Sequence, residues 1–172
     1  MSTRFGGVVI GVVTNRDDPE HQGRIEVEFP WLESGMRSAW ASVAAPMAGG
    51  GRGLYFMPEE RDEVLLAFDR DDFDHPFVIG FMWNGVHGPP SPDVRQRMIR
   101  STNGHTIRFV DSTPTSGDTG ALIIEDGNGN MVTLSNGKVS VRSLAVLELD
   151  APQIVLGGPG YRRVVAQNFN PI

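Results

Sequence analysis

Residues 104–160 hold five short runs, GHTIRFVD, GALIIEDG, NMVTLSNG, KVSVRSLAVLELD and QIVLGG, with no helical segment between them. Each is rich in Ile, Val, Leu and Thr and is bounded by Gly, Asn, Asp or Pro, the composition of strands and turns. A strand of about eight residues puts about four side chains on one face, worth roughly 1.5–3 kcal/mol each when fully buried. Ordering its backbone costs about 1–2 kcal/mol per residue. One buried face does not outweigh that cost, and this half has no helix to cover it. Other strands must supply the cover, and identical chains are the simplest source.

The 172 residues suit one domain or two small ones, and 21 Gly with 12 Pro favour a turn-rich β protein. With no cysteine, neither a disulfide framework nor a thiolate metal site is available. The opening MSTRFGGVVIGVVTNRDD has a short apolar run followed by a charged loop, where a signal peptide needs a longer apolar core and a small-residue cleavage site. No run reaches the roughly eighteen apolar residues of a membrane-spanning helix. The expectation is a protein made and folded in the cytoplasm, without signal peptide or transmembrane helix. Residues 1–85 carry 14 acids against 7 Arg, and residues 86–172 carry 7 acids against 8 Arg and Lys. An acidic first half argues against a nucleic-acid partner, which requires clustered Lys and Arg to release counterions.

In order, GGVVIGVVTNRDD (6–18) reads as a first strand and turn, and GRIEVEFPW (23–31) alternates Ile25, Val27 and Phe29 against Arg24, Glu26 and Glu28, as in a half-buried antiparallel strand. RSAWASVAAP (37–46) is a third strand, and AGGGRGLYFMP (48–58) a glycine loop followed by a short apolar strand. RDEVLLAFD (61–69) and PFVIGFMW (76–83) form a hairpin across an acidic loop. Short strands with turns every eight to twelve residues describe a small closed barrel.

These residues carry a resemblance. GRIEVEFPW, Trp40-Ala41-Ser42-Val43, Pro58 leading into Asp62-Glu63-Val64-Leu65, and His75-Pro76-Phe77-Val78-Ile79-Gly80 together resemble the OB-fold of phage baseplate assembly protein V and of VgrG-type spikes of contractile injection systems. Arg100-Ser101-Thr102-Asn103-Gly104-His105 with Asp111 resembles the segment that leaves that OB-fold, and GALIIEDGNGNMVTLSNG its first β-prism strands. The resemblance implies an all-β chain: an OB-fold collar over 1–84, a Pro/Gly linker over 85–95, an intertwined trimeric β-helix (β-prism) needle over 96–160, and a C-terminal tail over 161–172. It also implies a homotrimer that docks on a baseplate hub, takes a PAAR-type tip protein, carries effector cargo and meets the target cell envelope transiently. Arg61 stands where the family usually has glycine, which alters the turn. No His follows His105, so the His-x-His apex metal of some relatives is not expected. Asn84 begins a linker, NGVHGPPSPD, too short to be an inserted enzyme domain.

By strand alternation the trimer-core candidates are Ile107, Phe109, Leu122, Ile124, Val139, Val141 and Ile154, with Arg108, Lys138, Ser140 and Arg142 outward. Trp31, Asp71, Asp72 and Asp74, and Tyr161, Arg162 and Arg163 in the tail, are the hub or tip contact candidates. The glycine loop 48–53 lacks the Lys-Ser/Thr of a P-loop and is read as a barrel loop. The acids 69–74 break calcium-loop spacing. His21, His75, His87 and His105 show no ligand spacing, and no Gly-x-Ser-x-Gly elbow is present. No catalytic residue, cofactor or metal is expected. Trp31, Trp40 and Trp83 leave a second reading open, a monomeric OB-fold binding module for oligosaccharide or single-stranded nucleic acid. Without interleaved basic residues they are better read as barrel core or interface anchors.

Overall fold

In the computed structural model, described here over residues 7–32, 35–113 and 117–166, fourteen strands succeed one another with a single 3-10 turn, Asp69–Asp71, and no α-helix among the described residues. The chain divides into two units, residues 1–89 and 90–172. The first is built on β1 (Val8–Asn15), β2 (Arg24–Glu28), β3 (Ala41–Val43), β6 (Glu63–Phe68) and β7 (Pro76–Met82). They close a barrel in the order β1-β2-β3-β7-β6, all neighbours antiparallel except β3 and β7. Two short strands, β4 (Ala48–Gly49) and β5 (Arg52–Gly53), pair as a separate hairpin.

Alternation explains the barrel. On β2, Ile25 and Val27 are buried while Arg24, Glu26 and Glu28 line the outside. Val13, Ile25, Val27, Phe29, Ala41, Val64, Leu66, Phe68 and Val78 form the core. Phe29 packs on Phe73 (5.1 Å between ring centroids) and Phe68 on Phe73 (5.4 Å), closing one end with aromatic rings. Gly11 lies where β1 passes across the interior: a Cβ there would meet Leu66 Cδ1 at 2.8 Å and Val27 Cγ2 at 3.0 Å. The β1–β2 loop is organised by Asp18, whose side chain is almost wholly buried. Its carboxylate accepts the backbone N–H groups of Glu20 (3.0 Å), Gln22 (2.8 Å) and Arg24 (3.2 Å) and the Arg24 guanidinium (Nη2, 2.7 Å; Nε, 3.1 Å).

In the second unit β8 (Gln96–Arg100), β9 (Thr106–Val110), β10 (Ala121–Glu125), β11 (Met131–Ser135) and β12 (Lys138–Arg142) form an antiparallel meander in sequence order. A hairpin follows, β13 (Gln153–Gly158) with β14 (Tyr161–Ala166). Several sequence expectations need correction. The third barrel strand is short, covering 41–43 and not 37–46, and 54–58 forms no strand but leaves Leu54, Tyr55 and Phe56 exposed. The run from Lys138 ends as a strand at Arg142, and Leu144, Val146, Leu147 and Leu149 lie exposed beyond it. Residues 161–166, set apart as tail, are a strand, because the Pro159–Gly160 turn folds them back on β13; 167–172 lie outside the described residues. The needle strands were expected to hydrogen-bond between chains. From Gln96 to Arg142 they find their ladder partners in their own chain, each strand pairing with the one before it in sequence.

Candidate functional site

What this meander lacks is cover for one face. The registers align two rungs across all five strands: Ile99–Ile107–Ile124–Val132–Val141 and Arg97–Phe109–Leu122–Leu134–Val139. Side chains directly opposite share a face, so nine of these ten positions present apolar groups to one side. Ile99, Ile107, Phe109, Ile124, Leu134, Val139 and Val141 are exposed, Val139 at 67% and Phe109 at 52%. The one charge, Arg97, pairs with Asp111, just beyond the end of β9. The opposite face is mixed: Met98, Arg108, Ile123, Thr133 and Ser140 share one rung, and Arg108 pairs with Glu125 at 2.9 Å.

Turn chemistry fixes the strand connections at the ends of this sheet. Asn136 (φ 45°) and Gly137 (φ 76°) make the two-residue β11–β12 hairpin, the asparagine–glycine pair that such a turn prefers. Asn136 Nδ2 donates to Asp118 (2.8 Å), whose carboxylate also accepts the Gly120 N–H (2.7 Å). The Gly120 and Asn136 bonds hold the Asp118 carboxyl below its usual range. Asp126 caps the β10–β11 turn by accepting Asn130 Nδ2 (2.7 Å) and the N–H groups of Asn130 (2.8 Å) and Asn128 (2.9 Å), and the Asn130 side chain is the main cause of its lowered pKa. Gly120 and Gly127 sit hard against neighbouring backbone: a Cβ would lie 1.8 Å from Val110 O and 2.4 Å from Asn103 O.

Six of the seven residues expected to line a trimer core, Ile107, Phe109, Leu122, Ile124, Val139 and Val141, share this face. Ile154 does not; it lies half-buried on β13, in the separate hairpin. Ile99, Val132 and Leu134 complete the rungs and went unnamed in the sequence reading. The Val132-Thr133-Leu134 alternation carried the signal for two of them, whereas Ile99 lies in QRMIR, which has no strand pattern of its own.

The expected contact residues are spread out. Trp31 is 45% exposed, with its indole N–H on Ile10 O (3.1 Å) and its ring against Phe29. Asp72 is half-buried in the β6–β7 loop. It accepts the Asp74 N–H (3.1 Å) and meets His75 Nδ1 (3.0 Å), contacts that lower its pKa, while Asp71 and Asp74 are exposed. Arg162 and Arg163 are exposed on β14, where Tyr161 begins the strand. None of the three tryptophans is fully buried, so the barrel-core reading of them is corrected: Trp40 is half-buried with Arg24 6.0 Å from its ring centre, and Trp83 is 67% exposed. The outer barrel wall is apolar where β1, β6 and β7 meet, with the rung Val8–Ala67–Phe77 and Ile10 beside Leu65. No group of three or more His, Asp or Glu able to hold a metal ion occurs among the described residues. No helix among them is long and apolar enough to cross a membrane.

Residues 9–83, the barrel, match the type VI secretion system/phage-baseplate injector OB domain. The chain is similar to VgrG spike proteins of type VI secretion systems. It is 26% identical over 117 residues to the type VI secretion system spike protein VgrG2a of Pseudomonas aeruginosa, a match covering 61% of this chain and 14% of the relative. It is 35% identical over 75 residues to VgrG4b of the same organism, covering 41% of this chain and 9% of the relative. To VgrG3 of Vibrio cholerae it is 29% identical over 89 residues, covering 48% of this chain and 9% of the relative. The chain thus spans a small fraction of the curated relatives it matches.

Proposed function

We propose that this chain is a structural spike component of a contractile injection apparatus or phage tail, and that it is not an enzyme. The observation that carries the reading is the uncovered apolar face of the β8–β12 sheet, on a chain whose barrel matches an injector OB domain. An apolar surface of this continuity marks an interaction site. Three copies that turn the same face toward a common axis cover one another at once, and closed threefold symmetry leaves no copy with a bare side. The walls of the resulting three-sided needle place Ile107, Phe109, Leu122, Ile124, Val139 and Val141 inside and Arg108, Lys138, Ser140 and Arg142 outside.

In this reading the barrel docks on the baseplate hub, with Trp31 and the loop bearing Asp71, Asp72 and Asp74 as contact candidates. The apolar wall of Val8, Ile10 and Phe77 and the exposed Leu54, Tyr55 and Phe56 join them. The β13–β14 hairpin, with Tyr161, Arg162 and Arg163, meets a PAAR-type tip protein and effector cargo. The particle assembles in the cytoplasm and touches the target envelope only in transit. Electrophoresis of unheated and boiled samples in SDS tests this. A trimer band that collapses to monomer only on boiling is expected, and a monomer band in the unheated sample contradicts the needle.

A further inference from the structure

The mixed face of the β8–β12 sheet holds two hydrogen-bond donors that neither strand pairing nor turn capping uses. Thr106 is 9% exposed, and its Oγ1, closed to solvent, has no partner among the described residues; the same holds for Arg108 Nε. The two residues stand two apart on β9 and so share a face. Arg100 on β8 and Glu125 on β10 flank Thr106 directly. Glu125 Oε2 accepts the Nη2–H of Arg108 at 2.9 Å and leaves the Nε–H free. Arg100 is exposed and enters none of the ion pairs found among the described residues.

Buried donors without an acceptor are rare in folded proteins, and an unseen water or ion is one of the standard explanations. Guanidinium groups donate only, and the Thr106 hydroxyl can turn to donate, so a group that only accepts suits all three better than a water with two protons to place. Arg100 and Arg108 against Glu125 leave one positive charge in excess. From this we infer that Thr106, Arg108 and Arg100 form a binding site for a singly charged oxyanion of carboxylate type, on the face opposite the apolar one. The exposed Arg100, directly opposite Thr106 on β8, supplies the third donor. The carboxylate comes either free from solution or from an acidic side chain of a protein lying along the sheet.

The test is the melting temperature of the full chain against sodium acetate, with sodium chloride at matched ionic strength as control. Acetate is expected to give a saturable rise that chloride does not. The apparent affinity should fall about tenfold or more in Thr106→Val and in Arg108→Lys, which keeps the charge but loses the Nε–H donor. Glu125→Gln, which removes the neighbouring negative charge, should tighten binding about threefold. A Glu-rich peptide that outcompetes acetate at equal carboxylate concentration assigns the source to a protein partner; parity assigns it to the free anion. Equal responses to acetate and chloride, or an unchanged response in Thr106→Val, overturn the site. Should Thr106→Val fail to fold, exposed Arg100→Gln carries the same comparison. The site lies within one chain, so its outcome is independent of the trimer, whose mass is read from the same samples.

Discussion

Arg61 holds a left-handed backbone (φ 76°) while its N–H donates to Val13 O at 2.9 Å. A residue with a Cβ bears a cost there that glycine escapes. Arg61→Gly is expected to raise unfolding stability by about 0.5–1 kcal/mol, measured by urea denaturation, after the entropy glycine adds to the unfolded chain is offset. Asp18 works in the opposite sense. The Arg24 guanidinium, followed by the N–H groups of Glu20, Gln22 and Arg24, holds its carboxyl far below the usual carboxylate range. A depressed folded pKa contributes stability that is complete above the unfolded value of about 3.9 and is lost as pH falls toward the folded one. Asp18→Asn should therefore lower the melting temperature by several degrees at pH 7, and the gap to the unsubstituted chain should narrow steadily in scans taken below about pH 4. A gap independent of pH would assign the loss to packing and not to the ion pair.

Among the elements, β2 and β11 were the most legible. IEVEF and MVTLS alternate cleanly, and Asn136-Gly137 names its own turn. The strand β8 was not legible, since Gln96-Arg97-Met98-Ile99-Arg100 is polar at three of five positions and pairs only because β9 offers it an edge. The Arg162-Arg163 pair broke the alternation of 161–166 in the same way, and the β13 ladder overrode it. After Arg142 the apolar run Leu144 to Leu149 promised a strand, but Leu144 N–H is tied to Asn130 Oδ1 at 3.0 Å and no ladder partner follows. Face assignment within the sheet followed from alternation alone, whereas the identity of what covers it is not a property of one chain. Single charges on either face separate these roles. Leu122→Lys and Val141→Lys should abolish the SDS-resistant band while Ser140→Lys, on the mixed face, leaves it intact. Gly120→Ala should weaken the sheet whichever face is covered, because its Cβ collides with Val110 O.

At the scale of the whole molecule the two units differ in self-sufficiency. The barrel has its own core of nine buried apolar residues, of which the Val, Ile, Leu and Phe side chains are worth roughly 1.5–3 kcal/mol each, and its strands β1, β2, β6 and β7 were readable from periodicity. In the second unit the only buried residue among the described ones is Thr106: its five strands pair in one open sheet, while the apolar face of that sheet has no cover. In the proposed reading that imbalance is the physical basis for assembly, with identical neighbours covering the apolar faces. Native mass determination at micromolar concentration tests this most directly. The account predicts a single species of three times the 18.8 kDa chain mass; a stable, folded species of one chain mass, with the β8–β12 face open to water, would contradict it.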